Sequence, residues 1–527
     1  MFCPLKENRL FVDVLSMLFA LSTAFLTAVL MERLESLVVY WGTVATSFIL
    51  TFFIVRKFDI TGKILSDINL RMAAVVAFAA ILQIYSCQDR NPFGRVFSET
   101  ISGTQDMIGA LNSISLIFAS FSLFIILYCV IHWLFPIIMS FFKKLDNIDK
   151  TYIVALTALA FIITFAVYSV TTIFYGWDYV YSLDIFQESV WYVNFSENDL
   201  RQPLYGVFAI PLNVVSYFLS VIIPIPNARR VFTHVLLVVF MALTAILLTK
   251  ILKLDGPAKI AFLLFYSSSY AFVLFFMASE QYQIAGFWLV LFVYILLKEK
   301  DHLIAGVLSV GALVPNGFMI LATFERNKRW LMSVVTMMLM FLVMCVVFGQ
   351  IGVLLYSNPG GDYGGFFSGL SVESLCSYLK LVGSCFIGPD TIFITRDLYG
   401  AVAMSENNIH LVAVGGCILA LFIIGLVTNR KDRLIQLSAI WALVSLIFVG
   451  VMGLGVPENG VVLYSYMFSW AYIVVIFRLY QNVIDKYEIK NKAAWVIPAV
   501  FAFIMLAVNV YNIYEIVSYG IDTNIRW

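Results

Sequence analysis

The chain has 527 residues, of which 62% are hydrophobic, 16% aromatic and 12% charged, where a soluble domain carries about 25% charged residues. A mean hydropathy of +0.94 over the whole length excludes a soluble multidomain enzyme, a secreted disulfide scaffold and a disordered chain, and leaves a lipid bilayer as the solvent. The 33 basic and 32 acidic residues nearly cancel, to a formal charge of +1, which argues against a nucleic-acid partner. What informs is where the charges fall along the chain.

Apolar runs long enough to cross about 30 Å of hydrocarbon are predicted near 10–31, 36–55, 70–87, 108–142, 152–175, 232–249, 260–278, 283–297, 331–356, 411–428, 434–453, 462–480 and 495–515. Lys6 and Arg9 precede the first run and no small-residue cleavage site follows it, so it is expected to be a retained span. Two more apolar runs are interrupted. The run 203–226 holds Pro203, Pro211, Pro224 and Pro226, and 303–324 is cut by Val314-Pro315-Asn316-Gly317. Both are expected to be broken or re-entrant segments whose freed backbone groups are buried in protein. The fold class is therefore an all-α polytopic membrane protein with about 13 transmembrane helices and these two broken segments.

If both broken segments return to the side they left, about 24 of the 33 Lys and Arg fall on one face, the cytoplasmic one. Acidic residues then collect outside, on loops 88–107, 176–202, 357–410 and 454–461. The domains expected are a four-span membrane extension over 1–145, a membrane core over 146–356, an external loop or lid over 357–410, and a four-span region over 411–527. Cytoplasmic connections are short and carry no Walker or GxGxxG pattern, so nothing suggests an ATP-driven pump or a kinase. The seven cysteines include no CxxC pair and there are four histidines, which makes a zinc or redox centre a poor fit. Cys376 and Cys385 lie in the outer stretch, where either a disulfide or two buried thiols would suit them. Asn194-Phe195-Ser196 is a formal glycosylation acceptor.

The loop after span 152–175 reads Tyr175-Gly176-Trp177-Asp178-Tyr179, continues through Asp184 and Glu188, and reaches Arg201-Gln202-Pro203-Leu204-Tyr205. Rings mixed with carboxylates suit a segment lying in the headgroup plane. Asp178 stands out at the mouth of a span, ahead of a Pro-Leu-Tyr turn into the Pro-broken run.

An aspartate just beyond a span, a juxtamembrane helix, a Gln-Pro-Leu-Tyr lead-in and a later acid on a short outer loop together resemble the GT-C superfamily of membrane glycosyltransferases. The likeness is to the aminoarabinose-transferase and protein O-mannosyltransferase type, which use polyprenyl-phosphate sugars, and it covers roughly 150–330. It implies external juxtamembrane helices and an inverting transfer with Asp178 as catalytic base. Gln202-Pro203-Leu204-Tyr205 matches the family's His-Pro-Pro-Leu-Tyr, and Arg229 or Arg230 matches the arginine before the next span. Glu280, within Ala278-Ser279-Glu280-Gln281-Tyr282, stands where the family has an outer-loop aspartate, and Pro315-Asn316-Gly317 where it has Lys-Gly-Pro.

Such a transfer needs a carboxylate to take the proton of the attacking acceptor hydroxyl, worth about 10²–10⁴-fold. It also needs positive charge to meet the departing lipid phosphate, and the outer cations are Arg201, Arg229, Arg230, Lys380 and Arg396. A monophosphate donor admits a divalent cation but does not require one, and no cofactor is expected. Asp184, Glu188, Gln202, Tyr205, Glu280 and Tyr282 complete the substrate-binding candidates, with Asp362-Tyr363 in the glycine-rich start of the 357–410 loop and Glu458 in the Pro457-Glu458-Asn459-Gly460 turn. The 357–410 loop reads equally as a lid and as a cap. The partners that the resemblance implies are a polyprenyl-phosphate sugar and membrane lipid, with a glycan, lipid or protein as acceptor, and the expected setting is a bacterial cytoplasmic membrane with the site facing outside.

Other classes fit less well. A secondary transporter also uses broken segments, but it needs ionisable residues near mid-membrane, and Asp13 and His234 lie near span ends. A flippase, polymerase or ligase of lipid-linked sugars shares the same substrate and a large outer loop.

Overall fold

The computed structural model describes residues 143–171, 173–175, 222–298, 303–323, 367–396, 399–404, 408–457, 459–487 and 492–523, with short pieces elsewhere, among them 48–53 and 334–339. The chain divides into two compact units. One comprises Met1–Leu145, Glu188–Val214 and Met338–Ser357, and the other Asp146–Gln187, Val215–Met337 and Asn358–Trp527. In the first unit the described residues include an ion pair between Asp13 and Arg56 at 3.2 Å, with the Arg56 guanidinium also over the Phe52 ring.

The second unit holds most of the described helices. They are α1 (Asn147–Val170), α2 (Ala228–Ile251), α3 (Gly256–Ser268), α4 (Tyr270–Phe275), α5 (Tyr282–Leu297) and α6 (Leu303–Ala312). A 3₁₀ stretch, Val314–Thr323, follows, and then α7 (Val372–Ser384), a hairpin of β1 (Thr391–Arg396) and β2 (Tyr399–Met404), and α8 (Ile409–Thr428). Last come α9 (Arg433–Ser445) with a π-helical extension Leu446–Val451, α10 (Ser465–Lys486) and α11 (Val496–Asp522).

Among the described residues six segments are long and apolar enough to cross a membrane: Asn147–Val170, Ala228–Ile251, Ile409–Thr428, Arg433–Val451, Val461–Lys486 and Val496–Asp522. Each coincides with a hydropathy run, as expected of a multi-pass integral membrane protein. The first four expected spans lie almost wholly outside the described residues. The all-α expectation holds for the described spans, with one small exception. The antiparallel hairpin runs from Thr391 opposite Met404 to Arg396 opposite Tyr399.

Capping sets where α1 begins. The Asp149 amide donates to Asp146 Oδ1 at 2.8 Å, and the Asp146 amide points back to Asp149 Oδ2 at 3.4 Å, a capping box in which both acids favour the positive helix start. Lys259, in the first turns of α3, reaches both carboxylates, at 2.7 Å to Asp146 and 2.5 Å to Asp149. Lys259 is 3% exposed and Asp149 1%, so this is a buried ion cluster.

The run 260–278, expected as one span, is two helices. At Ser269 the backbone turns extended, with ψ of 146°, which frees the Ser268 carbonyl and the Tyr270 amide inside an apolar region where each needs a partner. Asn509 of α11 supplies one side: its Nδ2 donates to Ser268 O and Phe386 O at 2.8 Å each, and its Oδ1 accepts from the Gly388 amide at 2.9 Å. The Tyr270 amide donates to Phe386 O at 3.0 Å. Asn512, one turn on, donates to Pro389 O at 2.7 Å.

The interruption at Pro315 is present as expected. Asn316 donates to Ser309 O at 3.1 Å and to Ala285 O at 3.2 Å, and Gly317 lies against Val310. Residues seven apart in a continuous helix are about 10.5 Å apart, so the chain folds back here.

The 357–410 stretch, expected as a loop, is structured in its described part. Ser371 caps α7 by accepting from the Ser374 amide at 3.0 Å. α7 packs antiparallel on α8, so closely that a side chain at Gly383 would strike the Leu411 carbonyl and one at Gly415 the Leu379 carbonyl. Tyr378 joins Tyr472 at 3.0 Å, and Tyr472 joins Ser445 at 2.9 Å. Because Ser445 donates to Ala442 O, the chain of donors runs from Tyr378 through Tyr472 to Ser445. Cys376 and Cys385 are free thiols, so the disulfide alternative is set aside. They stand nine residues apart on and just past one helix, about 13 Å of rise, beyond the reach of a disulfide. Burial pushes the Cys385 thiol well up from its usual value.

Candidate functional site

Five of the sequence-derived candidates fall on described side chains: Arg229, Arg230, Glu280, Tyr282 and the cation Lys380. The two arginines occupy the first turn of α2, behind Asn227, whose left-handed backbone (φ 53°) ends the Pro224-to-Asn227 turn. Asn227 Nδ2 donates to the Tyr168 carbonyl at 3.0 Å, tying the start of α2 to the end of α1. Arg230 is near enough to Tyr168 to act electrostatically on its hydroxyl. Three residues past α1 a 3₁₀ turn, Ile173–Tyr175, leads toward the segment carrying Asp178.

Glu280 and Tyr282 lie at the connection between α4 and α5. A helix leaves its last four carbonyls without partners, and in an apolar interior each must be met. Here four consecutive carbonyls are met by side chains from three helices. Gln283 Nε2 of α5 donates to Phe275 O at 3.1 Å and Ala278 O at 2.7 Å. His234 Nε2 of α2 bonds Phe276 O at 2.7 Å, and Tyr168 of α1 donates to Met277 O at 3.1 Å. Gln283 Oε1 accepts from the Glu280 amide at 3.0 Å, and Ser279 Oγ sits 2.6 Å from His234 Nδ1 and 3.4 Å from the Tyr168 hydroxyl.

In a neutral imidazole one nitrogen donates and the other accepts. A carbonyl only accepts, so His234 carries its proton on Nε2 and takes the Ser279 hydroxyl on Nδ1. His234 lies one helical turn below Arg230 on the same face of α2. Glu280, 2% exposed, follows directly on Ser279, the residue that His234 of α2 bonds. The Tyr282 ring is edge-on to Phe275 at 5.9 Å and Tyr464 at 6.1 Å, placing the 453–464 connection beside the site.

That connection is a tight turn, as the Pro-Glu-Asn-Gly pattern indicates. Asn459 has φ 52° and the Gly460 amide bonds Gly455 O at 2.9 Å. Lys380 lies on α7. Arg396 ends β1 opposite Tyr399, at the hairpin turn. Asp178, Asp184, Glu188, Arg201, Gln202, Tyr205, Asp362, Tyr363 and Glu458 lie outside the described residues. Among the described residues no three His, Cys, Asp or Glu side chains gather as metal ligands would.

Sequence reading missed His234, Tyr168, Ser279 and Gln283 as parts of one arrangement. The signal available was faint: isolated polar residues in apolar runs, with His234 one turn from Arg230. Compared with known proteins, the chain matches no family model, no curated protein and no solved structure.

Proposed function

We propose that the chain is a GT-C-type membrane glycosyltransferase, which moves a sugar from a polyprenyl-phosphate donor to an acceptor on the outer face of a bacterial cytoplasmic membrane. In this reading the chain has about 13 spans and two broken segments. Asp178 takes the acceptor proton as the hydroxyl oxygen attacks the anomeric carbon, and the bond from that carbon to the lipid phosphate breaks. Arg229 or Arg230 meets the phosphate that leaves, with Arg201 and Arg396 as further cations. Glu280 and Tyr282 border the donor sugar, and Asp184, Glu188, Gln202, Tyr205, Asp362, Tyr363 and Glu458 are the remaining contacts to substrate. Arg201, Arg229, Glu188 and the others act without a bound cofactor, and a divalent cation is accommodated rather than required.

One observation carries this reading. Arg230, one of the two arginines offered for the family's position, stands four residues from His234 on α2, and His234 bonds Ser279, the residue before Glu280, so two candidate positions 50 apart in sequence are joined through one buried hydrogen bond. The α1 exit that leads to Asp178 is tied to the same place through Tyr168.

The test is transfer by the purified full-length protein in proteoliposomes, offered a panel of polyprenyl-phosphate hexoses and pentoses, with release of polyprenyl phosphate read by mass spectrometry. Wild type releases it, and Asp178→Asn is slowed by about 10²-fold or more while inserting normally. Full activity in Asp178→Asn removes the base assignment. A transporter, which the fold-back at Pro315 and the break at Ser269 also suit, would instead move solute into the vesicles with no covalent product.

A further inference from the structure

The turn that carries Glu280 is held from outside its own chain segment, and one side chain does so on two sides at once. His234 grips Phe276 O through Nε2 and Ser279 Oγ through Nδ1, at 2.7 and 2.6 Å. Those two anchor points bracket Met277-Ala278, and the second is the residue before Glu280. Tyr168 and Gln283 grip carbonyls within the same turn, and Gln283, three residues on, also accepts from the Glu280 amide, but His234 is the side chain from another helix that reaches Ser279 most closely. His234 is fully buried and both of its ring nitrogens are bonded within the protein, so the histidine has no free polar atom to offer a substrate.

We propose that His234 is a positioning residue: as the neutral Nε2-protonated imidazole it fixes the 276–279 turn to α2, and so sets the place of Glu280, the next residue. The role of Glu280 toward a donor sugar rests on the glycosyltransferase reading; the positioning itself does not. A Gln at 234 offers an amide N–H and a carbonyl oxygen with nearly the spacing of the two ring nitrogens, whereas Leu fills similar volume and leaves Phe276 O and Ser279 Oγ without their partner.

The experiment therefore compares His234→Gln with His234→Leu in the full-length protein, by two readouts. In the transfer assay, with the polyprenyl-phosphate sugar the wild type consumes, His234→Leu raises the donor KM by about tenfold or more while kcat stays within about threefold, and His234→Gln restores the KM to within about threefold. The second readout needs no activity. Glu280→Cys is introduced into each background, and its reaction with a membrane-impermeant methanethiosulfonate is followed by mass mapping of the 276–282 peptide, which contains no native cysteine. The rate rises about tenfold with Leu and not with Gln.

If wild type consumes no donor, the transferase reading fails while the cysteine rates still decide the positioning. If Leu leaves the cysteine rate unchanged, or if Gln behaves as Leu does, the positioning role is overturned whatever the activity. Should His234→Leu fail to fold, Ser279→Ala against Ser279→Thr makes the same comparison on the Nδ1 side alone, and equal rates in that pair overturn it too.

Discussion

Helix α1 is anchored by charge at its Asn147 end and by neutral hydrogen bonds at its Val170 end. At the first, Lys259 sits between two carboxylates, with Asp149 and Lys259 almost without solvent contact. At the second, Tyr168, His234, Ser279 and Gln283 meet backbone carbonyls and one another with no formal charge required. A buried ion cluster fails abruptly when one member is lost, because the remaining charge has no water to turn to. A neutral network fails one bond at a time. The candidate site is built at the end that fails gradually, where a substituted side chain shifts a turn without unfolding the helix bundle.

The largest effect is expected at the charged end. Lys259→Met strands the buried Asp149 carboxylate and lowers the unfolding free energy in detergent micelles by about 3–5 kcal/mol. Replacing Asp149 with Leu in the same chain removes the stranded charge and returns most of that loss. A double variant as unstable as Lys259→Met would mean that the capping box, and not the ion pair, holds this end. At the neutral end Tyr168→Phe deletes one donor and leaves Met277 O unmet, which costs about 1–2 kcal/mol by the same measurement. A loss as large as that of Lys259→Met would erase the distinction between the two ends.

The same contrast governs what the sequence makes legible. Six spans are plain in the hydropathy because a membrane helix satisfies its own backbone and needs only an apolar run. The fold-back at Pro315 is legible from local chemistry, a proline followed by Asn-Gly. The break at Ser269 is not, since Ser267-Ser268-Ser269 in an apolar run carries no Pro or Gly and the partner that satisfies it, Asn509, is 241 positions from Ser268. Helix α7 hides for a related reason. Its start is capped by Ser371, but what makes it a packed element and not a loop is close contact at Gly383 and Gly415 with α8, which no local pattern records. The candidate site divides in the same way. Arg229, Arg230 and Glu280 are legible as charges in short connections between apolar runs. The bond between His234 and Ser279 is legible only once α2 and the α4–α5 connection are seen packed together.

The smallest expected effect separates the two ends by pH. Burial by itself would raise the Asp146 carboxyl, but the Lys259 ammonium and the amides of Asp149 and Ile148 outweigh it and hold the group below its ordinary value of 3.8. A carboxyl that is more acidic in the folded chain than in the unfolded one contributes stability in full above the unfolded value, and loses it as pH falls through the lower folded value. Stability measured from about pH 6 downward should therefore stay level until about pH 4 and then decline. Asp146→Asn should flatten part of that decline while Tyr168→Phe, which alters only the neutral end, runs parallel to wild type. The Asp146 side chain is 54% exposed, so solvent screens the pair and the flattening is modest. Curves for wild type and Asp146→Asn that stay parallel through the acid range would show that the Lys259 cluster acts through Asp149 alone.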